Sequence, residues 1–143
     1  MTKDKSQATD WVGAMLFQGW LGVALWMTLG LLLEGLLGYK IPAYLLDSQR
    51  RELFQLAHAH GTLLSIVLII AALCAKSFAI EISRPAQLAL RLGTVLMPVG
   101  FLLAGISHPE GDPGIAIWLV PPAALLIIFG AISIAIACRK KMK

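Results

Sequence analysis

Leu53-Phe54-Gln55-Leu56-Ala57-His58-Ala59-His60-Gly61-Thr62-Leu63-Leu64-Ser65-Ile66-Val67-Leu68-Ile69-Ile70 is a continuous apolar run, long enough to cross a bilayer, with two histidines about two turns from one end. Hydrocarbon solvates an imidazole poorly. A histidine inside a membrane helix therefore needs a polar partner, a metal or a water pocket, and it marks a candidate site.

The rest of the chain supports a membrane setting. Of its 143 residues, 58% are hydrophobic and 14% charged, against roughly 45–50% and 25% in an ordinary soluble domain. Mean hydropathy is +0.79. The length suits one domain with little room outside the bilayer. The formal charge of +4 does not point to nucleic acid, because the basic residues cluster at the ends of apolar blocks. The block beginning at Trp11 is too long for a signal-peptide core and carries no convincing cleavage site, so it reads as a span.

Four spans are expected, at about 11–38, 53–75, 86–106 and 115–138. Residues 1–10 are polar, with Thr9 or Asp10 as a cap for the first helix. That helix would be about 42 Å long against about 30 Å of hydrocarbon, so it tilts or starts among the headgroups. Gly13, Gly19, Gly22, Gly30, Gly35 and Gly38 leave flat patches for a neighbouring helix. Pro42 breaks the polar connection from Tyr39 to Glu52, and Pro98 is expected to kink the third span. Residues 107–114, rich in proline and glycine, form a tight loop.

Lysines and arginines set the orientation. Lys3, Lys5, Lys76, Arg84, Arg91, Arg139, Lys140, Lys141 and Lys143 fall on one side, and Lys40, Arg50 and Arg51 on the other. The expectation is an all-α four-helix membrane bundle of the inner membrane, both termini cytoplasmic, with the first and third loops outside. Cys74 and Cys138 then face the reducing side as small buried hydrophobes.

This topology gathers Glu34, His58, His60 and His108 toward the outer face, with Glu110 and Asp112 in the third loop. His58 and His60 lie about 200° apart on a helix, so they cannot share one small site on an undistorted backbone. His60 is the deeper and the first candidate ligand. Each residue also has a structural reading: Glu34 paired with Arg50 or Arg51, His58 bonded to a backbone carbonyl, His108 capping the third span.

Residues 53–64, with His60-Gly61-Thr62 followed by bulky apolar side chains, resemble the second membrane helix of haem–copper oxidase subunit I. The resemblance implies that His60 is an axial haem ligand in the outer half of an outside-to-inside helix. The second ligand would be His108, a His60 from another copy, or Met97. The family's copper-binding histidines have no counterpart here, so oxidase chemistry is not implied.

Three functions follow. Haem b held by His60, His58 or His108 would serve electron transfer. Zinc, iron or copper held by Glu34, His58, His60 and His108 would make a metal site or a metal-dependent membrane enzyme, and the same groups without metal would make a proton relay. A cofactor-free accessory subunit, in a homo-oligomer or a larger membrane complex, would use its small residues for packing.

Overall fold

The computed structural model describes residues 3–109 and 111–142, with side chains from residue 11 onward. Its elements are α1 (Lys3–Gly38), α2 (Pro42–Leu45), α3 (Ser48–Ser77), α4 (Arg84–Ile106), a 3₁₀ turn (Ile115–Leu119) and α5 (Val120–Lys141). Trp11–Gly38, Ser48–Ser77, Arg84–Ile106 and Ile115–Lys141 are four stretches long and apolar enough to cross a membrane. The chain is an all-α protein of multi-pass membrane type.

Two boundaries differ from the sequence expectation. The first helix reaches back to Lys3, so Thr9 and Asp10 lie inside it rather than at its cap. Helix α3 starts at Ser48, not Leu53, because the Asp47 side chain accepts a hydrogen bond from the Arg50 amide at 2.9 Å. This N-cap satisfies a first-turn donor and carries the polar Gln49–Glu52 stretch into the helix. Pro85 and Pro121 sit in first turns, where the missing N–H costs no helical bond. Helix α4 continues through Pro98, which is buried.

The helices alternate in direction, so both termini lie at one end of the molecule, the terminal end; His58 and His60 lie toward the opposite, histidine end. Packing follows chain order: α1 on α3, α3 on α4, α4 on α5, with only slight contact between α1 and α4. The bundle is therefore an open row. In the apolar window of each span, 44% of α3 and of α4 is buried, but only 6% of α1 and 11% of α5.

The α1–α3 seam rests on missing side chains. Gly19 meets Ile69, Gly22 meets Ser65, Trp26 lies over Gly61, and His58 lies over Gly30. Large groups of each helix fill the glycine hollows of the other at three- and four-residue spacing, and this lets two backbones approach closely. Gly13, Gly35 and Gly38, expected to serve the same purpose, face open space. Near the terminal end, Val12, Met15, Leu68, Ala71, Ala72 and Leu90 form a buried apolar cluster.

Candidate functional site

His58 and His60 point to opposite neighbours, as their angular separation requires. His58 faces α1. Its ring rests on Gly30, and its Nδ1 lies 2.7 Å from the Trp26 carbonyl oxygen. A carbonyl only accepts, so Nδ1 carries the proton and donates it. In the neutral tautomer that fits this bond, the lone pair lies on Nε2, the atom open to a ligand. His60 faces α4. Its Nδ1 donates to the Leu56 carbonyl one turn back, at 2.9 Å, and its ring lies 5.1 Å from that of Phe101.

A cavity of about 190 Å³ opens between α1 and α3 at the histidine end, lined among others by Met27, Glu34, Tyr44, Gln55 and His58. Glu34 and His58 are thus brought to one site. Tyr44 is buried there, while Tyr39 is exposed. Glu34 has no ion-pair partner among the described residues. Arg50 and Arg51, its expected partners, are engaged elsewhere. Arg50 donates to the carbonyls of Gly105 at 3.1 Å and Ala43 at 3.1 Å, and Arg51 donates to that of Leu45 at 2.8 Å. One turn below His58 on the same stripe of α3, the Thr62 hydroxyl is buried without a hydrogen-bond partner. A buried polar atom left unpaired is uncommon, and it adds unused bonding capacity beside His58.

His108 does not join this site, nor does it cap α4, whose C-cap is Ser107. It is buried against the first loop. Its Nε2 lies 3.1 Å from Asp47 Oδ2, a close approach without hydrogen-bond alignment, and its Nδ1 lies 2.9 Å from the Pro109 carbonyl. Arg50 completes the clamp, 3.5 Å from the same Asp47 oxygen. Asp112 is exposed, and Glu110 lies outside the described residues.

The Arg50 amide hydrogen bond holds the Asp47 carboxyl below its ordinary value of 3.8, assisted by the charges of His108 and Arg50 against a smaller opposing effect of burial. A lowered native value means that Asp47 stabilises the fold above its ordinary titration range and stops doing so as the pH falls through the lowered value. Asp47→Asn is therefore expected to melt earlier than the parent at neutral pH. The gap should close in strong acid, as read by thermal unfolding in detergent across a pH series. A gap that stays constant with pH would remove the carboxylate charge from the clamp.

No family model, curated protein or solved structure matches the chain. The expected joint set of Glu34, His58, His60 and His108 is not assembled within one chain, and no group of three or more metal-ligating residues occurs among the described residues. What the fold brings together is a pair, His58 with Glu34. The cavity of about 190 Å³ is smaller than the about 300–1,000 Å³ of sites for organic ligands. Cys74 and Cys138 are half-buried and unbonded.

A second polar cluster was not anticipated as a unit. Arg91 Nε donates to Gln18 Oε1 at 2.8 Å, and Gln18 Nε2 donates to the Arg91 carbonyl at 2.8 Å and to Thr94 Oγ1 at 3.1 Å. The signal was present: Gln18 stands inside the first apolar span, and Arg91 lies about two turns into the third.

Proposed function

We propose that this chain is a small inner-membrane protein with both termini cytoplasmic that binds a transition metal ion through His58 and Glu34 near its outer face. The observation that carries this reading is the 2.7 Å bond from His58 Nδ1 to the Trp26 carbonyl. A ligand histidine is usually oriented in this way, its second ring nitrogen donating to a carbonyl or carboxylate so that the first is fixed for the metal. The unpaired Glu34 carboxylate supplies charge and oxygen, and the imidazole–carboxylate pair suits zinc, iron or copper. An iron or copper ion there would supply one-electron chemistry and would suit an electron-transfer role. Two protein ligands leave positions for water, a second copy or a neighbouring subunit. The excess of Lys and Arg at the terminal end supports the orientation.

Haem is the second reading, with His60 as its ligand, as the likeness to the oxidase helix implies. It is favoured by one observation: the bond of His60 Nδ1 to the Leu56 carbonyl leaves Nε2 available. The haem would lie outside the α1–α3 cavity, between copies or subunits.

The test is one optical spectrum and elemental analysis on the purified full chain. Colourless protein with stoichiometric metal is expected. His58→Leu should abolish the metal, and Glu34→Gln should weaken it by at least about tenfold. A Soret band that disappears in His60→Leu but survives His58→Leu would replace the first reading with the second. Neither signal would leave a cofactor-free subunit of a larger complex.

A further inference from the structure

At the terminal end, the α3–α4 connection and the last turns of α5 enclose an open cavity of about 520 Å³. Ile80, Glu81 and Ser83 line it from the connection, and Ile136, Lys140 and Lys141 from α5. The volume falls in the range of about 300–1,000 Å³ used by small-molecule sites. Among the described residues, neither lysine nor Glu81 has an opposite charge within ion-pair distance. Ser83 precedes α4, but its hydroxyl makes no capping bond. The cavity therefore presents two uncommitted cations, one uncommitted carboxylate and a free hydroxyl. It lies where the second, third and fourth spans reach their polar ends, the part of a span that meets headgroups in a bilayer.

We propose that this cavity seats the phosphoethanolamine headgroup of a membrane phospholipid. Lys140 and Lys141 take the phosphate, Glu81 takes the ammonium, and the first acyl carbons run along the exposed Ile136. Basic pockets between helices at a membrane surface are suited to phosphate-bearing headgroups. The carboxylate narrows the choice. A headgroup carrying only negative charge would meet Glu81 unfavourably, and a choline headgroup has no N–H to donate to it. A primary ammonium satisfies it with a charge-assisted hydrogen bond.

The full chain, purified and stripped of lipid, would be titrated with phosphatidylethanolamine, phosphatidylcholine and phosphatidylglycerol, and bound lipid counted by native mass spectrometry. Phosphatidylethanolamine is expected to bind most tightly. Lys140→Ala/Lys141→Ala should lower its affinity by about tenfold or more. Lys140→Arg/Lys141→Arg should retain it. Glu81→Gln should erase the preference over phosphatidylcholine while leaving phosphatidylcholine binding unchanged. A preference for phosphatidylglycerol, or a preference untouched by Glu81→Gln, would overturn the proposal. So would full displacement of the lipid by inorganic phosphate, which would make the cavity a site for a free anion.

Discussion

Gly61→Val is expected to push α1 away from α3 and to destabilise the folded chain by about 3 kcal/mol. A Cβ at position 61 would overlap the Trp26 ring at its Cγ, Cδ1 and Cδ2 atoms. That ring is large and rigid and has no flexible end to swing aside. The Trp26 carbonyl also holds His58, so displacing this turn of α1 disturbs the candidate metal site as well as the packing. Gly35→Val is the matched control. It stands on α1, the helix across the seam, with open space around it, and its effect should stay within about 0.5 kcal/mol. Unfolding by denaturing detergent would measure both. Equal losses in the two variants would mean that the seam does not hold α1.

Gln18→Leu should cost about 2 kcal/mol, and the loss should shrink when Arg91→Leu is added. The single change removes the acceptor of the Arg91 Nε donor and two donors to α4. It leaves a guanidinium about 10 Å along its helix from Arg84, with water scarce and no carboxylate paired to it among the described residues. A group stripped of its partner costs its full desolvation, whereas removing both partners leaves nothing orphaned. A double-mutant cycle reads the difference. Strictly additive losses would show that Gln18 and Arg91 act independently.

The spans were legible because hydrophobic length is a one-dimensional property. Helix α3 starts before Leu53 because the Asp47 cap draws Gln49, Arg50, Arg51 and Glu52 into its first turns, and hydropathy alone does not register polar helical turns. The angular separation of His58 and His60 followed from helix geometry alone. Which helix each one faces did not, because that depends on glycines 28 residues and more away in sequence, at positions 19, 22 and 30. His108 was assigned to the histidine site by depth, but depth does not fix azimuth, and Asp47 on the neighbouring loop claims it. Arg91 was counted as a topological charge. Its place inside the third apolar span, opposite Gln18, was the better clue.

The serial packing of the four long helices also dictates an order of assembly. The central hairpin of α3 and α4 can form with neither flank present, since their mutual face is complete. α1 leans mainly on α3, with Gln18 also bonded to α4, and α5 leans on α4. The outermost helices therefore dock on a hairpin already formed, and α1 brings Glu34 and the Trp26 carbonyl with it. On the proposed reading, an ion bound at His58 would report that the first helix has arrived.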